Sequence, residues 1–253
     1  MSMRFLIALL AALFAGVAHG EKCTARSGDK TAALVELYTS EGCDSCPPAD
    51  RWLSALGASY RPELVVPLAL HVDYWDYIGW KDPYAKREFS QRQRRLSQMQ
   101  RAAFVYTPQV LVQGLEVRDW ADSRFNQTLA RINAQPARAR LELEILQATS
   151  DALNVRVSAA ILDPKQASDA RLYVATYENR LESRVTAGEN SGLVLRHDHV
   201  ALEWQGPYAA GERQVRLPLL PKGKIGESGV VAFVQNQRNA EVLQTLLLGT
   251  CPG

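Results

Sequence analysis

The chain has 253 residues, 47% of them hydrophobic and 22% charged, which is enough apolar side chain for one large or two small cores and excludes disorder over most of the length. With 29 Lys and Arg against 27 Asp and Glu the net charge is +2, so composition gives no general reason to expect a nucleic acid or an anionic membrane as partner. Its four cysteines, Cys23, Cys43, Cys46 and Cys251, are too few for a disulfide-rich scaffold and enough for two bridges.

At the start, Arg4 precedes an apolar run from Phe5 to Val17, shorter than the roughly 20 residues that span a bilayer as a helix. Ala18 and Gly20 have the small-residue spacing of a cleavage site before Glu21. Residues 1–20 therefore read as a secretory signal peptide, with an uncleaved anchor as the alternative. Cleavage would leave no membrane span and place the protein in an oxidising compartment, periplasmic or secreted, where disulfides persist.

Residues 21–135 alternate short apolar runs with helix-length segments. Ala33 to Tyr38 reads as a strand, and Pro47 to Ala58 as a helix whose prolines fit only its first turn. Leu64 to Val72 reads as a second strand, in which Pro67 is better tolerated near an edge or a bulge. From Asp82 to Ala103, Ala85, Phe89, Leu96, Met99 and Ala103 recur at helical spacing. Gln109–Val112 and Leu115–Val117 are strands around a Gln113-Gly114 turn, and Ser123 to Ala134 is a closing helix with Ser123 as its cap. The order β-α-β-α-β-β-α is the minimal thioredoxin-type arrangement.

From residue 136 to 253 the apolar period changes to two. Leu141, Leu143 and Ile145, then Val155, Val157, Ala159 and Ile161, alternate with mostly polar neighbours. Further strands are expected over 171–178, 193–196, 200–204, 214–219, 230–235 and 241–248, with turns at Asp163-Pro164, Gly188-Glu189-Asn190 and Pro221-Lys222-Gly223. The fold class expected is thus an α/β thioredoxin-like domain (21–135) followed by a mostly antiparallel, β-sandwich-like domain (136–253).

Cys43-Asp44-Ser45-Cys46 is the motif with chemistry. Thiol–disulfide exchange needs one thiolate to attack and a second thiol close enough to resolve the mixed disulfide. A helix N-terminus stabilises the first thiolate through its free N–H groups and dipole. Cys43 is expected as the exposed nucleophile and Cys46 as the resolving thiol, while a structural bridge or half of a metal site remains open. Tyr106-Thr107-Pro108 places a proline at a strand start, where thioredoxin-like folds carry a cis-proline beside the dithiol. Thr107 and Pro108 are then substrate-binding residues, against the alternative of an ordinary trans proline.

Glu36 interrupts the strand before the motif and could exchange a proton with the resolving thiol, or be a solvent-facing glutamate on an edge strand. His71 to Asp82 holds Tyr74, Trp75, Tyr77 and Trp80, an aromatic loop that either walls a peptide groove, with Trp75 and Tyr74 as contacts, or plugs the seam between the halves. The helix beyond it carries Lys86, Arg87, Arg92, Arg94, Arg95 and Arg101 against Glu88, a solvated basic face or a site for an acidic partner.

The segments Tyr38 to Asp50, His71 to Asp76 and Tyr106 to Gln109, with Val230 to Gln235, resemble the secreted thioredoxin-like family catalogued as domain of unknown function 1223. The resemblance implies a thioredoxin-like fold and a dithiol at Cys43 and Cys46, and brings no substrate. Pairing Cys43 with Cys46 leaves Cys23 with Cys251 as a structural disulfide, intermolecular pairing being the alternative.

The expected function is a periplasmic or secreted thiol–disulfide oxidoreductase without cofactor or resident metal. It would be a monomer that meets protein thiols or disulfides and a redox partner protein. Asp44 and Glu41 oppose the helix dipole at Cys43, which favours reduction or isomerisation over strong oxidation. Two alternatives are a binding module braced by a permanent Cys43–Cys46 bridge, and a copper or zinc carrier using both thiolates with His71 or the His197–His199 pair.

Overall fold

The computed structural model describes residues 23–220 and 225–251; the expected signal peptide and the turn at Pro221-Lys222-Gly223 lie outside the described residues. A short strand that periodicity does not reveal, β1 (Thr24–Arg26), comes first. β2 (Ala33–Thr39), α1 (Pro47–Ser59) and β3 (Val65–His71) then form a right-length crossover with β2 and β3 parallel. Pro47 and Pro48 stand in the first turn of α1, where the missing N–H costs nothing. Pro67 is tolerated because the next strand reaches β3 only from Ala69 onward, leaving the Pro67 side locally an edge.

The helix expected over 82–103 is shorter. α2 spans Arg87–Met99 because Lys86 is extended (φ −132°, ψ 135°), and Arg101 beyond it is left-handed with φ 57°. β4 (Gln109–Val112) and β5 (Leu115–Glu116) form the expected hairpin, with positive φ at both Gln113 and Gly114. α3 (Ser123–Ala134) lies where expected, but its cap is Asp122, whose carboxylate accepts the Arg124 N–H.

The remaining strands are β6 (Ala139–Ala148), β7 (Ala152–Ile161), β8 (Ala170–Glu178), β9 (Leu181–Arg184), β10 (Val194–His197), β11 (Val200–Tyr208), β12 (Gly211–Pro218), β13 (Ser228–Asn236) and β14 (Val242–Gly249). The chain is mostly β. Its main layer is an eight-stranded mixed sheet in the order β14-β13-β8-β11-β3-β2-β4-β5, accompanied by a four-stranded antiparallel sheet β1-β6-β7-β12 and the two-stranded hairpin β9-β10.

This arrangement corrects the expected division at 135/136: the boundary does not separate two sheets. β11 pairs in parallel with β3, so strands from both halves share the large sheet, and β1 from the first half pairs with β6 of the second. Alternation with period two reports which face a strand buries and is silent on its neighbour. In β8, Leu172 and Val174 enter one core and Tyr173 and Tyr177 another, as in a strand covered on both faces.

Ala33, Val35 and Leu37 of β2 pack with Leu53 and Leu56 of α1 and Phe125 and Leu129 of α3. Leu34 and Tyr38, on the opposite face, pack with Phe89 and Leu96 of α2. The small sheet covers β8, β13 and β14 through Leu141, Val155, Val174, Ala232 and Leu246. Cys23 and Cys251 are bonded, with Cα atoms 5.7 Å apart, and tie the start of β1 to the chain just after β14, one sheet to the other.

Candidate dithiol site

The loop from Ser40 to Cys46 leaves the C-terminal end of β2 and turns twice before α1: the Cys43 N–H donates to the Ser40 carbonyl and the Cys46 N–H to the Cys43 carbonyl, each at 3.2 Å. Cys46 is the N-cap of α1, and its carbonyl accepts the N–H groups of Ala49 (2.9 Å) and Asp50 (3.1 Å). Cys43 and Cys46 form a disulfide at the helix start, the position in which the dipole and free N–H groups favour a thiolate after reduction.

Cys43 is not exposed. Both cysteines are 0% exposed, and Asp44 and Ser45 between them are the residues that face solvent. Two distant segments clamp the loop. A 3-10 turn, Asp73–Ile78, lies so close that a Cβ on Gly42 would sit 3.1 Å from Trp75 Cβ and 3.2 Å from Ile78 Cδ1. The tip of the β9–β10 hairpin supplies Asn190, whose Nδ2 donates to the carbonyls of Glu41 and Cys43, both at 2.9 Å. Glu189 beside it accepts the Asp44 N–H at 3.0 Å. Exposure is a tertiary property, and a motif on a loop does not show what packs over it.

Thr107 and Pro108 reach the same place. Trp75 Nε1 donates to Thr107 Oγ1 at 2.8 Å, so Trp75 bridges from Gly42 to Thr107, and the Thr107–Pro108 bond is cis. Tyr74 lies between α2 and Thr107: its hydroxyl donates to Gln93 Oε1 at 3.1 Å and neighbours the Thr107 side chain, and burial pushes its pKa up to about 12. Tyr77 is 82% exposed, so the aromatic loop is partly plug and partly open surface.

Glu36 belongs to a different structure. β2 lies between β3 and β4, not at an edge, and Glu36 is fully buried on the α2 face with Leu34 and Tyr38, opposite the face that holds α1. Its Oε1 accepts Arg92 Nε at 2.7 Å and its Oε2 accepts Arg92 Nη2 at 3.0 Å. The guanidinium stands 4.8 Å from the Trp204 ring and 5.2 Å from that of Phe233. Burial works against its charge, but Glu36 together with the Tyr38 and Tyr173 hydroxyls outweighs it and raises the Arg92 pKa. The expectation of a solvent-facing glutamate on an edge strand is therefore corrected: Glu36 is the counterion of a buried arginine, and it lies on the sheet face opposite the helix that begins at the dithiol. The basic face of α2 shrinks accordingly, since Arg92 is interior and Lys86 pairs with Glu203 at 3.2 Å.

Behind the disulfide lies a buried polar cluster that spacing does not reveal. His71 Nδ1 is 2.7 Å from Asp82 Oδ2, which also accepts the Glu41 N–H at 2.8 Å. Glu41 Oε1 is 3.1 Å from His197 Nε2, and its Oε2 accepts Trp80 Nε1 at 2.9 Å. Glu41 thus turns inward to these partners rather than acting as a free charge beside Cys43. His197 Nδ1 is 3.7 Å from Asp50 Oδ2, and the His71 and His197 rings are 4.9 Å apart. Burial works against the charge on both His71 and Asp82, but their contact, with Asp50 and Glu41 beside His71 and the Glu41 and Tyr84 N–H groups on Asp82, outweighs it, raising the His71 pKa and lowering that of Asp82. Burial raises the Asp50 pKa above the usual carboxylate range. Residue type alone picks out His71 and His197; the member it misses is Asp50, signalled by a charge on the buried stripe of α1 with Ala49, Leu53 and Leu56.

The His197–His199 pair is divided between two positions on α1. His197 meets Asp50, whereas His199 fills the space over Gly57, where a Cβ would lie 2.1 Å from His199 Nε2. Among the described residues, no group of three or more His, Cys, Asp or Glu is arranged to hold a metal ion, and no helix is long and apolar enough to cross a membrane. Two intrachain disulfides are in keeping with an extracytoplasmic location.

A family model described as a protein of unknown function, DUF1223, matches residues 34–235. The chain is similar in fold to a crystal structure of AGR_C_4864 from Agrobacterium tumefaciens, with 24% identity and a TM-score of 0.61, covering 90% of this chain and 98% of that one. It is also similar to HBP35 of Porphyromonas gingivalis, with 16% identity and a TM-score of 0.63, covering 88% of this chain and 76% of that one. No match was found among curated protein sequences.

Proposed function

The chain belongs to the DUF1223 family of proteins of unknown function, and we propose that it is a thiol–disulfide oxidoreductase of thioredoxin-like build, working in the periplasm or outside the cell. The observation that carries this reading is the Cys43–Cys46 pair at the N-terminus of α1, at the carboxyl ends of the parallel strands β2 and β3. Reactive sites of open α/β sheets form at that end of the strands. Thr107 lies beside the pair through Trp75 and is half-exposed, so its backbone can meet an extended peptide.

In the reduced protein, the Cys43 thiolate attacks a protein disulfide, forms a mixed disulfide and releases one substrate thiolate. Cys46 then attacks Cys43 Sγ, closing the internal bridge and releasing the second. A dithiol partner protein returns the two electrons. Asp44 and the Glu189 carboxylate on its N–H place negative charge at the helix start, which works against the Cys43 thiolate and favours a reducing or isomerising direction. Substrates reach Cys43 only when the turn carrying Trp75 and the hairpin carrying Asn190 part from the loop.

The burial of both sulfurs favours a second reading, a bridge that only braces the loop. Insulin reduction by wild type and Cys43→Ser separates the two. Turnover that disappears in Cys43→Ser, with mixed disulfides trapped by Cys46→Ser, is the expected result. Absence of turnover, with a bridge that does not equilibrate with glutathione, leaves the brace.

A further inference from the structure

α1 and β10 leave a crevice between them of about 210 Å³, lined by Pro47, Asp50, Arg51, Val194, Leu195, Arg196 and His197. At its floor two buried groups of opposite charge type meet, Asp50 (6% exposed) and His197 (2% exposed). Their contact at 3.7 Å is too long for a hydrogen bond, and Asp50 Oδ1 and His197 Nδ1 make none of ordinary geometry. Buried polar atoms left in this state are uncommon and call for a function or a transient partner. Asp50 lies one helical turn beyond Cys46, and residues four apart share a helix face.

We infer that Asp50 is the proton acceptor for Cys46, and that His197 and the crevice connect Asp50 to solvent. The inference rests on the redox reading above. In the mixed disulfide, the Cys46 thiol passes its proton to the Asp50 carboxylate. The resulting thiolate attacks Cys43 Sγ, the Cys43–Cys46 bond forms, the bond from Cys43 to the substrate sulfur breaks, and the substrate leaves with the electron pair as a thiolate. Asp50 then loses the proton through the crevice, past His197.

The groups facing Asp50 come from every element around it: His197 from β10, His71 from β3, the Thr39 hydroxyl from β2 and Asp82 from the segment before α2, with Glu41 of the dithiol loop beyond on His197 and Arg51 and Arg196 lining the crevice. Three carboxyls thus share two imidazoles. Burial raises the Asp50 pKa, the direction that makes a carboxylate a better proton acceptor.

The test uses the full chain, reduced, with glutathione disulfide as the probe. The first glutathione released reports attack by Cys43, and decay of the Cys43–glutathione adduct, followed by acid quench and mass spectrometry, reports attack by Cys46. In Asp50→Asn the first step should proceed at about the wild-type rate, while the second slows by about 100-fold near neutral pH, the lower end of the usual general-base contribution. The deficit should shrink above about pH 8.5, where a free thiol ionises unaided, and Asp50→Glu should recover part of the rate. A second step that matches wild type at every pH overturns the role of Asp50 and leaves the redox reading intact. If wild type never forms the adduct, the redox reading itself falls. Should Asp50→Asn fail to fold, the wild-type profile decides. The second step must follow a group titrating above the ordinary carboxylate range, and a profile that follows only a thiol overturns the assignment.

Discussion

Replacing Asn190 with alanine should unlatch the dithiol. The side chain donates to the carbonyls of Glu41 and Cys43 at 2.9 Å each, and both bonds are buried. Each is worth about 1 kcal/mol net; the Cys43 carbonyl keeps the Cys46 N–H, whereas the Glu41 carbonyl loses its side-chain donor. A weakening of about 2 kcal/mol raises the fraction of molecules with the loop uncovered roughly 30-fold, at about 1.4 kcal/mol per factor of ten. The assay is reduction of the oxidised protein by a water-soluble phosphine at low concentration, read as appearance of the Cys43 and Cys46 thiols. If access requires the cover to part, the rate follows the uncovered population and should rise about 30-fold in Asn190→Ala, while in denaturant the two proteins react equally. A rate within twofold of wild type in a folded variant would refute the reasoning and mean that Cys43 is reached by another route.

Other outcomes test the corrections and the fold. Glu36→Gln should destabilise the protein by about 3–5 kcal/mol in urea, because it strands the Arg92 charge among aromatic rings, yet leave the resolving step of the folded fraction unaffected; normal stability with a slowed resolving step would return Glu36 to the dithiol. Cys23→Ser with Cys251→Ser opens a bridge spanning 228 residues and should cost about 2–5 kcal/mol, measured by denaturant titration under conditions that keep Cys43–Cys46 intact; no loss would mean the termini are held by packing alone. Burial holds the His199 imidazole below its ordinary pKa, so the unfolded chain binds that proton better than the folded one. The stability due to His199 is complete above about pH 6.5 and is lost as pH falls toward the native value. His199→Asn, which tolerates the left-handed φ of 57°, should flatten the fall in Tm as pH drops below about 6.5, and an unchanged slope would refute the assignment.

Local pattern was enough to place α1, α3, the β4–β5 hairpin and the parallel pair β2 and β3, since each is fixed by side chains a few residues apart. The same reading finds the cysteines and Thr107 because their chemistry is written in residue type. It misassigns Glu36 for a physical reason. A charge in an apolar strand signals a buried partner without saying on which side of the sheet it lies, and Arg92, 56 residues on, decides that. The contacts of Asn190 and His197 with the dithiol loop are illegible for the same reason, as both reach it across more than 140 residues. The shared sheet is hidden because β8, β11 and β13 have the alternation of a separate sandwich while pairing into the layer begun by β2 and β3.

That shared layer makes the half that carries Cys43 and Cys46 impossible to lend. In a chain cut at the 135/136 boundary, β3 would lose β11 and present its outer backbone groups as a bare edge, open to pairing with another chain. The fragment would also part from Asn190 and His197. A reactive pair on a portable module can be fused, swapped or truncated with its chemistry intact. Here the strands that finish the sheet are continuous with the hairpin that covers the sulfurs, so a change that shifts Asn190 or Glu189 alters what reaches Cys43.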